Sequence, residues 1–504
     1  MQAAQRDPYE YGLTLSAQSR HAEAIGEFER ALARQPDDVR VLFALGNTAR
    51  VLGLSRPAES FFRRVLALEP TRLEALVSLA NLLRAEGDPA AARSLIEPAM
   101  ATHPQAPELW LTLGSIHREM GDRPHAVALY REALARNPDS AAALGNLADL
   151  LADDGDVAGA MVLYDRAMIR EPKNAQLRLN RAVLHLLRGD LKEGWRDYAA
   201  RLKIPGKAPA CDHGLKTWNG SHLKRTRLLV TAEQGVGDQI MFASLIPELA
   251  TRARDDGGSV VLECEPRLVS LLARSFPAVT VHAAQMETKG GVTTAHYPWL
   301  KQVGGANAAI EMGSLPRHLR SAIDQFPLPH SYLVPDAEET TQWRTRFAQS
   351  GSAPHVGICW RSGKSGGLRS LQFAPLAAWA QFIRHLPGTI VSVQYDATPG
   401  EIAELAALSG RQILVPPSLD QKQELDRTCA MLSALDHVVS APTAVSWLAA
   451  AAGVPTSKIL YDTSWTGFGA AHEPFAPSCA CIMPKVRGDW SDVFAQAAAR
   501  LAVA

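Results

Sequence analysis

Small and large apolar residues recur in a fixed order along the first part of the chain. Ala24, Ala58, Ala92, Ala126 and Ala160 stand 34 residues apart, and Phe28, Phe62, Ile96, Tyr130 and Tyr164 each follow by four. Pro36, Pro70, Pro104, Pro138 and Pro172 close the units in the same frame, while Gly12, Gly46 and Gly114 occupy a common position ahead of the alanines. This order predicts two helices per unit. The small residues let paired helices approach, the large one fills the groove toward the next unit, and proline stops the second helix.

A 34-residue helix–turn–helix unit of this kind is a tetratricopeptide repeat. Five units and a sixth through about Leu202 exceed the roughly three needed for a stable stack. An all-α solenoid is therefore expected over residues 1–202, with a concave face suited to a peptide or protein. The repeats could instead dimerise the chain, and both roles can hold.

The pattern then changes. KIPGKAPACDHGLKTWNGSHLKRT contains Pro and Gly without periodicity and is read as a linker, residues 203–226. RLLVTAE predicts a strand, QGVGDQ a glycine turn and IMFASLIPELATRA an amphipathic helix; SVVLECE and VTVHAA add strands around the helical PRLVSLLARSF. Residues from about Met286 to Leu333 give no regular pattern. A second alternating series starts at HVGICW and runs through TIVSVQY, QILVP, DHVVSA and SKILY, with helical segments between. The expectation is two Rossmann-like α/β lobes, residues 227–340 and 341–504, with a ligand cleft between the carboxyl ends of their sheets.

Charge narrows the partners. Lys plus Arg and Asp plus Glu number 52 each, so no electrostatic argument favours nucleic acid or an anionic membrane. The start has no apolar signal-like run and no stretch reaches the roughly 18 residues of a span, so a cytoplasmic protein is expected. Six cysteines, four of them isolated and two as a C-x-C at Cys479 and Cys481, do not form a zinc ligand set.

Three motifs, Gln234-Gly235-x-Gly237-Asp238, the WRSGK segment from Trp360, and SAPTAVSWLAAAAGVP from Ser440, resemble bacterial GT-B glycosyltransferases fused to tetratricopeptide repeats. WRSGKSGGLRSLQFAPL, VSVQYDATPGEIAEL, DQKQELDRTCAMLSALD and YDTSWTGFG are similar, more narrowly, to flagellin-modifying transferases. The resemblance implies O-glycosylation of flagellin Ser or Thr with a nonulosonic acid of the pseudaminic acid type, carried as a CMP-sugar, with flagellin held by the repeats. It implies no cofactor and no metal. Wider heptosyltransferase-like relatives carry S-x-D-T-A and then a histidine on the helix that follows Ser440. Pro442 and Trp447 stand there instead, which points away from ADP-heptose as donor.

Each candidate residue also has a plain structural reading. Gly235 and Gly237 would let backbone N–H groups approach the donor, with Asp238 as general base; equally, the loop is a tight turn with Asp238 as a helix cap. Arg361, Lys364 and Arg369 would neutralise the departing phosphate or form a solvated basic loop. Ser440 and Thr443 would present a helix N-terminus to phosphate or serve as ordinary capping residues, with Pro442 in the first helical turn. Asp462, Thr463 and Ser464 could rim the cleft. A transferase with a lipid or oligosaccharide acceptor, and a non-enzymatic flagellin adaptor, remain the alternatives.

Overall fold

The computed structural model describes residues 7–289, 292–326, 331–363 and 372–501. The chain divides into two compact units, one running to Leu177 and one comprising Arg178–Glu287 with Val292–Ala504.

In the first unit, helices run in antiparallel pairs from Pro8–Ala17 and His21–Arg34 to Ala141–Asp153 and Val157–Arg170. The repeat residues perform the predicted packing: Ala24, Ala58, Ala92, Ala126 and Ala160 are fully buried, as are Phe28, Phe62 and Tyr130. A methyl group on Gly46 would stand 2.6 Å from Phe62 Cε1, so only glycine admits the ring. The repeat prolines follow the second helices and also join neighbouring units. The carbonyls of Pro36, Pro104 and Pro138 accept from Arg64, Arg136 and Arg166 of the next unit at 2.6, 2.9 and 3.1 Å.

The second unit opens with residues 178–198, whose Ala182, Leu186, Leu191, Trp195 and Tyr198 enter the main core. Its first parallel sheet contains β1 (Lys216–Thr217), β2 (Arg227–Thr231), β3 (Ser259–Cys264), β4 (Thr280–Ala283) and β5 (Ala308–Glu311), in the order β1-β5-β2-β3-β4. The second contains β6 (His355–Cys359), β7 (Thr389–Ser392), β8 (Ile413–Leu414), β9 (His437–Ser440), β10 (Thr456–Ile459), β11 (His472–Glu473) and β12 (Ala476–Ile482). Its order is β8-β7-β6-β9-β10-β12-β11, parallel except for β11 against β12.

Four details differ from the sequence reading. Residues 178–198, expected as the end of the solenoid, belong to the second unit because their apolar side chains pack into its core. The stretch read as a linker is partly built into the first lobe: Lys216 and Thr217 pair with Ala308 and Ala309, and Trp218 is buried with its Nε1 donating to Ser221 O at 2.9 Å. The single helix expected from Ile240 to Ala253 is two, Val236–Ala243 and Ile246–Asp255. Pro247 has no N–H to continue the first helix and fits the opening turn of the second. Pro442 lies ahead of its helix, which begins at Ala444 with Thr443 as N-cap.

Both sheets reverse their strand order, at β2/β5 and at β6/β9. In open α/β sheets, ligands bind in the crevice beyond the carboxyl ends of such strand pairs.

Candidate active site

The first crevice is formed by residues after β2 and β5. The chain leaves the fully buried Leu228–Val230 core of β2 and turns at Gly235, the extended N-cap of the Val236–Ala243 helix. Asp238 is thus in the first helical turn, partly open to solvent. Burial and the neighbouring Glu233 carboxylate push its pKa up to about 6, against the pull of the Gly235 and Asp238 amides. A carboxylate tuned this way ionises near neutral pH and can both take and return a proton.

Behind Asp238 lies a buried polar network. Glu233 accepts from Arg201 at 2.5 and 3.1 Å and from the Gly313 amide at 2.9 Å. Arg201 also donates to Ser314 Oγ at 2.9 Å and stacks over the Tyr198 ring, and the Tyr198 hydroxyl accepts from Gln234 Nε2 at 2.8 Å. Each residue therefore helps fix the loop that carries Asp238. Sequence reasoning missed Tyr198, Arg201, Gly313 and Ser314. No local pattern marks them, since contacts across 32 and 113 residues bring them to Glu233 and to one another. On the next strand, Glu263 is fully buried, and burial pushes its pKa up to about 7 while the Ala232 amide and the Tyr297 hydroxyl favour its charge.

The second crevice follows β6 and β9. Ser440 is fully buried and donates to Ala441 O at 2.7 Å. Thr443 Oγ1 accepts from the Val445 amide at 3.2 Å. These side chains serve the strand end and the cap, and what the crevice offers a ligand is the N-terminus of the Ala444–Ala451 helix itself. Arg361 departs from its expected role as a phosphate ligand. Its guanidinium donates to both Asp396 oxygens at 3.0 Å, to Asp396 O at 3.1 Å, and to Glu401 at 2.6 and 2.8 Å. Arg361 holds the Glu401 carboxyl down at about 2. With its donors engaged and two carboxylates against it, Arg361 is a brace for the loop after β7. Lys364 and Arg369 lie outside the described residues.

The two crevices meet through their helices. A methyl group on Gly237 would stand 3.4 Å from Ala444 Cα and 3.4 Å from Trp447 Cδ1. Gly237 is therefore at a helix crossing, and it brings the N-terminal turns bearing Asp238 and Thr443 side by side. Gly235 has no such neighbour; its added methyl would meet only Asp238 Oδ2, at 3.6 Å. Trp447 is half-buried under the Lys458 ammonium, which is 4.9 Å from the ring centroid and ion-paired with buried Glu473. Ser464 and Thr466 complete that cluster, and Asp462 pairs with Arg487 at 3.2 Å. Gly237 thus sets Asp238 beside the helix start at Thr443, with Gly235 in the turn before it and Ser440 at the end of β9, while Arg361 is directed to Asp396 and Glu401.

Tetratricopeptide-repeat family models match residues 9–72 and 111–170, and residues 73–116. Over 327 residues the chain is 31% identical to Protein FlbA of Caulobacter vibrioides, covering 64% of this chain and 54% of that relative. The chain therefore matches about half the relative's length. Among solved structures, TTC0263, a thermophilic TPR protein of Thermus thermophilus, is 29% identical with a TM-score of 0.33, covering 36% of this chain and 100% of its own. The crystal structure of MamA is 22% identical with a TM-score of 0.28, covering 33% and 96%. No helix among the described residues is long and apolar enough to cross a membrane. The chain carries tetratricopeptide repeats within residues 9–170, is similar to FlbA over part of that relative's length, and follows its repeats with two α/β lobes.

Proposed function

We propose that this chain is a GT-B glycosyltransferase that attaches a nonulosonic acid of the pseudaminic acid type from its CMP-sugar to Ser or Thr of flagellin, with the solenoid recruiting flagellin. The acceptor and donor rest on the resemblance of the motifs above. The chemistry is supported chiefly by one observation, a carboxyl with its pKa raised to about 6 at the crossing of two helix N-termini.

In this scheme Asp238 accepts the proton of the acceptor hydroxyl as its oxygen attacks the anomeric carbon. The bond from that carbon to the CMP phosphate oxygen breaks, CMP departs, and the anomeric configuration inverts. The positive end of the Ala444–Ala451 helix faces the charge that grows on the phosphate, and Lys364 is assigned the same task. Arg201 and Glu233 position the loop without touching the reacting atoms. The first lobe holds the acceptor side and the second the nucleotide.

Co-expression of flagellin with this chain and a CMP-nonulosonic acid pathway tests the reaction class. Intact-mass measurement should show an increment on flagellin that depends on this chain. Flagellin that binds the chain yet keeps its unmodified mass would instead assign an adaptor.

A further inference from the structure

The turn inside the fourth repeat carries a group that the transferase reading does not use. Asp122 is the N-cap of the Arg123–Arg136 helix. Aspartate also caps the corresponding helices through Asp88 and Asp156, so a carboxylate here is expected of the repeat. The fourth repeat alone adds two imidazoles. His117 comes from the last turn of the Pro107–Glu119 helix and His125 from the first turn of the next. The matching positions hold Leu83 and Ala91 in the third repeat, and Leu151 and Gly159 in the fifth. Gly121, with φ +82°, lets the chain reverse tightly enough to set the three side chains together.

His117 Nδ1 stands 3.1 Å from Asp122 Oδ2, and His125 Nδ1 2.8 Å from Asp122 Oδ1. One ligand atom from each of the three residues lies within 4.8 Å of the others. Around an ion with bonds of roughly 2.0–2.2 Å, adjacent donors at tetrahedral to right angles are about 3 Å apart. Both nitrogen–oxygen separations already have that value. The His117 side chain is largely buried and fixed, whereas His125 is 72% exposed and can swing inward. Two imidazoles and a carboxylate suit borderline ions and not Ca2+ or Mg2+, which favour all-oxygen shells.

We propose that His117, Asp122 and His125 form a binding site for a divalent transition-metal ion, Zn2+ being the natural choice, with water completing the shell. The ion clamps the two helices of the fourth repeat across their turn. This site is separate from the transferase chemistry.

The test titrates the chelator-treated full chain with ZnCl2 by isothermal calorimetry, beside His117→Ala, His125→Ala and Asp122→Asn. Asp122→Asn keeps a capping oxygen, and the exposed His125 is replaced without disturbing the core, so both variants should retain wild-type circular dichroism. The expected result is one saturable equivalent with micromolar affinity, weakened at least tenfold in each variant. Cu2+ should show nitrogen hyperfine coupling in its electron paramagnetic resonance spectrum, lost in the double histidine variant. An absence of stoichiometric binding, or wild-type affinity in folded His125→Ala and Asp122→Asn, overturns the site.

Discussion

Asp238 has a measurable signature apart from catalysis. Its folded pKa of about 6 exceeds the roughly 3.9 of an unfolded chain, so the folded state holds the proton more tightly. Its stabilising contribution is complete below about pH 4 and is lost as pH rises through about 6. Asp238→Asn removes that loss. The variant should match wild type in stability at pH 3.5 and exceed it at pH 8, by at most about 3 kcal/mol before allowance for partial exposure. Thermal melts at both pH values check the sign. Arg201 and Glu233 make the opposite case, since each side chain is 3% exposed and each is the other's counter-ion. Arg201→Met leaves a buried carboxylate unpaired and should cost about 3–5 kcal/mol, much of it recovered when Glu233→Met is added. A single variant that melts like wild type would remove this pair from the support of the loop.

At the scale of elements, glycine offers a paired comparison in the solenoid. Gly26 lies on the exposed side of the His21–Arg34 helix with nothing near an added methyl, so Gly26→Ala should gain up to about 1 kcal/mol of helix propensity. Gly46→Ala gains the same propensity but drives a methyl into Phe62 at 2.6 Å. Overpacking of about 1–3 kcal/mol then outweighs it. Hydrogen exchange across Val39–Leu68 should speed up in Gly46→Ala and slow across His21–Arg34 in Gly26→Ala. Such positions were legible in the sequence because a repeat prints each contact several times. The strand–turn–helix at Arg227–Ala243 was legible too, through its apolar run and glycines. Ala308–Glu311 was not, although it forms half of the first crevice. Four residues with two alanines carry no periodicity, and pairing with β2 across about 80 residues defines the strand. Asp238 and Thr443 could be picked from their helix starts. The engagement of Arg361 by Asp396 and Glu401 could not, since it depends on where the loop after β7 returns.

At the scale of the whole molecule, the proposed function divides labour between the two units. A fragment ending near residue 202 would cut through the core of the second unit, which residues 178–198 enter, so recruitment is better tested in the full chain. Charge reversal of exposed solenoid residues such as Arg50 should lower flagellin capture while leaving hydrolysis or binding of the CMP-sugar unchanged. Equal loss of both would show that the repeats do more than recruit. In the proposed reaction Asp238 removes the acceptor proton. Its most direct test is single-turnover transfer from a CMP-nonulosonic acid to purified flagellin, followed by intact mass across pH 5–8. Wild-type rates should rise with pH and level off above a midpoint near 6, while folded Asp238→Asn, still binding CMP-sugar and flagellin, should be slower by about 10²–10⁴. Near-normal transfer by that variant, or a wild-type rate flat through pH 6, would contradict Asp238 as the base.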